Sequence, residues 1–401
     1  MTILPSTSPL RTIPPGVWSG QFILAIVVAT TFAVAFNALI PLLPLYLASF
    51  GASDQEIGLV VGVFGVSALV FRPLSGQLTD RFGARRVSIV GALAFAITTP
   101  LTALSTAIPL LLVLRLVQGA GLVCFWTAST TLSMNTVHPS RTGMAMGYQS
   151  MSGGLGGLVA APFAVQIVDA AGWQVTFLLM AALAVLSIAL CGGIRTAPRL
   201  RRPAAFSRRG LVSRTTITPA LFFLSWTLTQ GPVLAFSSLL VIERNLGNPG
   251  VFFAVFSLGN LLVRPFAGWG ADRWGRIPIA LPGLVLSAVS MPLIGLATEQ
   301  VWLLLWAFAY GAANGLVYTG LITWSIDRSP AEQRGSAIAT FQWGWDIGSS
   351  ISSAAMGVLA GFIGYGGIFV VSGVFPAVGA AVLVWAARSG RMLIPRRAAI
   401  E

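Results

Sequence analysis

Long apolar runs separated by short polar turns set the pattern of this chain. Residues 22–48, 87–106, 216–241 and 366–387 carry no charged residue. Each is close to or longer than the ~20 residues that cross the hydrocarbon core of a bilayer as a helix. At least eight similar stretches accompany them, and the spacing predicts helices over 22–48, 55–78, 86–106, 108–131, 142–168, 173–193, 216–241, 249–270, 277–297, 300–325, 333–361 and 366–388. A transmembrane barrel would instead show alternating segments of about ten residues, and the chain has none. The pattern therefore predicts an all-α integral membrane protein with twelve transmembrane helices.

The second half of the chain repeats the first. Phe71-Arg72-Pro73 leads through Gly76 to Asp80-Arg81-Phe82-Gly83, and Val263-Arg264-Pro265 leads through Gly268 to Asp272-Arg273-Trp274-Gly275. The offset is 192 residues throughout; further along, Arg141 to Gln149 pairs with Arg334 to Gln342 at an offset of 193. Two six-helix bundles related by an axis along the membrane normal are expected from such a repeat. The organisation expected is a cytoplasmic segment 1–21, a first bundle 22–193, an Arg-rich linker 194–215, a second bundle 216–388 and a tail 389–401.

Charge orients this arrangement. The chain has 401 residues, of which 56% are hydrophobic and 9% charged, with a net charge of +13. In a soluble protein that excess would suggest nucleic acid. All of it comes from 24 arginines, with no lysine, and 20 of these fall at the termini or in alternate loops. That is the positive-inside pattern rather than a nucleic-acid footprint. It places both termini and the linker in the cytoplasm and makes the lipid bilayer of a cell's inner membrane the expected partner. The linker carries seven arginines, which suit anionic headgroups. Cys124 and Cys191 lie in apolar helices and read as small core hydrophobes. Two cysteines and the single His138 allow neither a disulfide framework nor a metal cluster. No cleavable leader pattern precedes the first helix, which is expected to be retained.

The stretch GQLTDRFGARR (76–86) resembles the best-known signature of the major facilitator superfamily, through Gly76, Leu78, Asp80, Arg81, Gly83, Arg85 and Arg86, with Ala84 where a basic residue is usual. Gly268, Asp272, Arg273, Gly275 and Arg276 repeat it in the second half. Gly83 permits a tight turn into the third helix. Asp80 is suited to cap a helix or to pair with an arginine across the halves. Such pairs would form a cytoplasmic gate, holding the outward-open state and breaking in the inward-open one. Arg72 and Arg264, occurring in both halves, read as structural residues that snorkel toward the cytoplasmic surface.

LVLRLVQGAG (112–121) resembles the superfamily's fourth-helix motif, with Arg115, Gln118, Gly119 and Gly121 in place. Ala307 occupies the matching place in the second half, so packing common to both halves does not demand Arg115. An arginine inside a span costs several kcal/mol unless paired or hydrated, which makes a functional role the first expectation and snorkelling or a bond to a carbonyl the alternative. On the fifth helix, Gly153, Gly157 and Ala161 recur every four residues and Pro162 follows, similar to the glycine-rich signature of drug–proton antiporters but with Ala161 where that group has glycine. The small-residue stripe predicts close packing against the eighth helix. The resemblance implies a twelve-helix carrier working by alternating access, monomeric, and favours export.

Of eleven acidic residues only Asp346 falls well inside a predicted span. At helical spacing it shares a polar face with Gln342, Ser349, Ser350 and Ser353. A carboxylate there is placed either to exchange protons or contact substrate, with Arg115 as its expected neighbour, or to be held structurally by serines and backbone. Glu243, at the outer end of the seventh helix, is the second acid to weigh. Asn37 and Gln149 complete the expected polar lining, beside Trp126, Tyr148, Trp226, Gln230, Asn260, Asn314, Tyr318 and Trp345.

Without a lysine the chain has no Gly-Lys-Ser/Thr nucleotide loop, and no nucleophile, base or metal constellation can be placed in the spans, so it is not expected to be an enzyme or to need a cofactor. The reading is a secondary transporter, with proton-coupled export of drug-like or secondary-metabolite small molecules first. An importer or facilitator of an organic anion paired with Arg115 is the alternative, and a non-transporting membrane sensor comes last.

Overall fold

A computed structural model describes residues 18–138, 142–195, 216–329 and 334–389. Most of the Arg-rich linker, the first seventeen residues and the tail beyond 389 lie outside the described residues.

Helix accounts for nearly all of what is described. The elements are α1 (Gly20–Ser49), α2 (Asp54–Phe82), α3 (Ala84–Ala103), α4 (Ile108–Asn135), α5 (Thr142–Gly192), α6 (Ile217–Thr227), α7 (Gln230–Glu243), α8 (Pro249–Trp274), α9 (Arg276–Leu296), α10 (Gln300–Asp327), α11 (Arg334–Ser372) and α12 (Val374–Arg388). Ten runs of helix among the described residues are long and apolar enough to cross a membrane. Two of them hold a residue with left-handed backbone, Gly172 (φ 80°) in α5 and Gly364 (φ 69°) in α11, where the chain turns from one span into the next. The spans therefore number twelve. Side chains such as Phe266, Phe362 and Trp385 stand exposed on the lateral surface, as lipid-facing positions must when water is not the solvent.

The seventh span is not the unbroken helix expected over 216–241. It divides at Leu228 and Thr229 into α6 and α7. Pro232 explains the break: it has no N–H to offer the carbonyl four residues earlier, and its ring crowds that carbonyl. That carbonyl belongs to Leu228, and Ser352 of α11 donates its hydroxyl to it instead. Thr227 in turn donates to the Gly344 carbonyl of α11 at 2.8 Å. A freed backbone group inside the bilayer is thus satisfied by a neighbouring helix.

The repeat shows in the backbone. Gly83 between α2 and α3 (φ 100°) and Gly275 between α8 and α9 (φ 99°) adopt the same left-handed turn, which only glycine enters without strain. Packing follows the same symmetry. In the first half α2 and α3 both pack on α4, and in the second α8 and α9 both pack on α10. Across the halves, α2 packs on α11 and α5 on α8.

These two seams are tight at one end only. A β-carbon added at Gly58 of α2 would lie 3.0 Å from the Cα of Gly357 on α11; at Gly62 and Gly65 it would lie 2.7 Å from the carbonyl oxygens of Ser350 and Asp346. On the other seam, one at Gly250 of α8 would lie 2.6 Å from the Cα of Pro162. Toward the opposite end, Gly76, Gly147 and Gly268 have nothing within 4 Å of such an atom. The halves thus meet at the end away from the Arg-rich linker and part toward it.

Candidate functional site

Asp346 is the one buried acidic residue among those described. Its helix, α11, brings it against α2, and Arg72 of α2 grips it with two bonds, Nε to Oδ2 at 2.6 Å and Nη2 to Oδ1 at 2.7 Å. Paired, two-point guanidinium–carboxylate contact is the strong form of this interaction. The Asp346 side chain is 3% exposed and that of Arg72 20%. The pair joins the two halves at the vertex of the cleft, beyond the tight stretch from Gly58 to Gly65 and before the open stretch at Gly76.

Two expectations change here. Arg72 does not snorkel to the surface; the carboxylate across the seam holds it in the membrane. Arg115 is not the neighbour of Asp346. Its Nε donates to the Val60 carbonyl at 3.3 Å and its Nη1 to Gln118 Oε1 at 2.9 Å, while the Phe64 ring lies 4.6 Å from its guanidinium carbon. Nη2 makes no hydrogen bond among the described residues, and Nε2 of the buried Gln118 has none either. Arg115 lines a cavity of about 150 Å³ with Phe36, Val61, Phe64, Trp345, Ser349 and Ser353. The cavity is mainly apolar, with one cation and the serine face of α11 as its polar part.

The remaining expected lining residues divide. Ser349 and Ser350 donate to carbonyls of their own helix, Ser350 to that of Asp346 at 2.6 Å. Gln342 lies half-buried on the same helix, toward the open end. Gln149 is committed elsewhere: it accepts from Ser133 at 2.8 Å and donates to Ser129 at 3.1 Å, tying α5 to α4. Asn37 donates to the carbonyls of Ala33 and Gly153 at 2.8 and 3.4 Å.

The small-residue stripe of α5 meets α8 as expected at Gly157, which faces Ser257, and at Ala161, which faces Gly250. The Pro162 carbonyl accepts from Asn248 at 3.2 Å. Gly153 does not take part; a β-carbon there would meet only Trp126 of its own half, at 3.9 Å.

At the open end no ion pair among the described residues joins Asp80 or Asp272 to the other half. Asp80 and Arg86 are exposed, and no ion pair of Asp80 occurs among the described residues. Arg81 lies over the Phe82 ring at 5.4 Å, and the backbone of Arg85 accepts from the Cys191 thiol. In the second loop Arg276 bonds Asp272 at 2.6 Å and Asp327 of α10 at 2.8 Å, and Arg273 lies over Trp269. The latch of this half is thus internal. Asp327, whose part in it the sequence reading missed, lies far along the chain with no motif of its own. At the closed end Tyr365 donates to Asp54 at 2.8 Å across the halves, a contact no local pattern announces.

The family model of the Major Facilitator Superfamily matches residues 23–251 and 221–399. The cis,cis-muconate transport protein of Acinetobacter baylyi is 26% identical over 360 residues, covering 82% of this chain and 86% of that one. The tetracenomycin C resistance and export protein of Streptomyces glaucescens is 24% identical over 380 residues, covering 77% and 69%. Among solved structures, a bacterial homolog of the human lysosomal transporter Spinster, inward-facing and unoccupied, superposes with a TM-score of 0.78 at 12% identity over 92% of this chain and 96% of that one.

Proposed function

We propose that this chain, which belongs to the Major Facilitator Superfamily, is a proton-coupled exporter of drug-like or secondary-metabolite molecules that works by alternating access. The observation that carries the reading is the Arg72–Asp346 pair: the one buried acid among the described residues, held by an arginine of the other half where the two halves part. Protonating Asp346 removes its charge and with it both charge-assisted bonds to Arg72; losing the proton re-forms them. A proton thereby acts on the contact that joins the two moving bodies. The tetracenomycin export protein is a relative of matching kind.

The Arg-rich side is assigned to the cytoplasm of a cell's inner membrane, by the positive-inside rule. The cleft then opens inward. The chain acts alone as a carrier, with no chemistry on its solute and with the proton gradient as its energy source; one charge crossing 100 mV supplies about 2.3 kcal/mol. In proteoliposomes with an imposed pH gradient, the protein is expected to move an amphipathic dye against its concentration gradient, and a protonophore to stop it. Transport indifferent to the protonophore would sink the coupling.

A second reading, carriage of an organic anion, rests on charge. Three arginines, Arg72, Arg115 and Arg264, lie within the spans, and among the described residues Asp346 is the one buried acid there to oppose them. A membrane interior with surplus positive charge favours an anionic guest. The cis,cis-muconate transport protein supports this reading.

A further inference from the structure

Arg264 of α8 is the repeat of Arg72, yet its surroundings differ. Arg72 has a carboxylate. The offset of 193 that aligns Arg141–Gln149 with Arg334–Gln342 puts Gly153 of α5 where Asp346 stands on α11. The seams match as well, since α5 packs on α8 as α11 packs on α2. The place that the repeat makes symmetric to Asp346 on this seam therefore carries no acid. Its Nε is buried without a hydrogen-bond partner, and no ion pair of Arg264 occurs among the described residues. Its guanidinium carbon lies 5.4 Å from the centre of the Tyr318 ring.

The place is also roomy. Beside Gly153 a β-carbon would touch only the edge of Trp126, and one turn from Arg264, at Gly268, nothing lies within 4 Å. The cleft on the Arg-rich side thus holds a guanidinium beside the Tyr318 ring, with Trp126 at the symmetric place marked by Gly153. Leaving such a cation unpaired in a membrane is costly, and the neighbouring seam displays what satisfies it.

We propose that Arg264, with Tyr318 and Trp126, forms a binding site for the carboxylate of an apolar or aromatic organic anion, which takes the place that the Asp346 carboxylate holds on Arg72. The carboxylate docks on the guanidinium by two parallel hydrogen bonds, and the apolar body lies along the two rings. This deepens the organic-anion reading and rests on it for the idea that the guest is then carried. Arg115, a second unneutralised cation deeper in the cleft, is the next station for the same charge.

The test uses the full chain in lipid nanodiscs, with 1-naphthoate and its neutral counterpart 1-naphthamide as probes, followed by calorimetry. The wild type is expected to bind naphthoate at least about tenfold more tightly than naphthamide, the ratio a charge-assisted pair supports. Arg264→Gln is expected to erase that ratio. Gly153→Asp is expected to erase it too while holding or raising the melting temperature, because it supplies the missing carboxylate from within; this second variant guards against misfolding of the first. A wild type without preference for naphthoate, or a preference that survives both substitutions, overturns the site. Naphthoate flux into proteoliposomes separates the two claims. Arg264-dependent binding without flux upholds the site and removes organic-anion carriage, whereas flux with binding indifferent to Arg264 overturns the site alone.

Discussion

Replacing Arg72 by leucine is expected to destabilise the protein more than replacing Arg72 and Asp346 together. Asp346 is buried, Arg72 half-buried, and two short bonds join them. Removing one partner strands the other charge in a poorly hydrated seam, at a cost of about 3–5 kcal/mol. Removing both, as in Arg72→Leu with Asp346→Leu, eliminates the stranded charge and is expected to recover most of the loss. Thermal unfolding in detergent, monitored by tryptophan fluorescence, measures Arg72→Leu, Asp346→Leu and the double variant against the wild type. Equal losses in single and double variants would mean that the two residues contribute separately and that the seam does not depend on their pairing. Proton-coupled transport is expected to be absent from all three, since none keeps both a titratable carboxylate and the partner that competes for it.

Leucine at Gly58 is expected to have an effect of similar size for a different reason. The nearest atoms to an added β-carbon there belong to the backbone of α11, with the Cα of Gly357 at 3.0 Å, and backbone cannot swing aside as a side chain does. Helices must move apart along the α2–α11 seam, losing van der Waals contact over its closed end. Overpacking of this kind costs typically 1–3 kcal/mol, and more where two backbones touch. In a membrane, where such close packing rather than water exclusion holds helices together, the seam has little to replace it. Gly76→Ala supplies the contrast: nothing lies within 4 Å of that position, and the melting temperature is expected to stay within a degree or two of the wild type. Unfolding curves of the two variants side by side decide the matter, and an unshifted Gly58→Leu would refute the tight seam.

The twelve spans were legible because apolar runs of membrane-crossing length admit few other readings, and the repeat of Gly83 in Gly275 marked the two tight turns in advance. What escaped was a break inside an apolar run. Pro232 reads as one more apolar residue until the Leu228 carbonyl is asked where its hydrogen bond goes. Asp346 stood out as a charge among hydrophobes, but its partner did not, because Arg72 lies 274 residues away in sequence and only the packing of α11 on α2 brings them together. Repetition itself misled. The presence of an arginine in both halves suggested a shared structural duty, whereas the difference lies on the facing helices, aspartate at 346 and glycine at 153. Arg115 was legible as an arginine set apart from its repeat; the direction it faces was not, since Val60 and Gln118 claim it through geometry that spacing does not display.

The central claim is that Asp346 exchanges a proton against the occupancy of the carrier. The most direct measurement is proton release from the purified, detergent-solubilised wild type and Asp346→Asn on addition of compounds shown independently to bind both. Release by the wild type and none by the variant is the result expected, because a guest that favours the Arg72-paired carboxylate expels the proton from it. Equal release by both would place the titrating group elsewhere, with Glu243 next to examine, and would contradict the role given to Asp346.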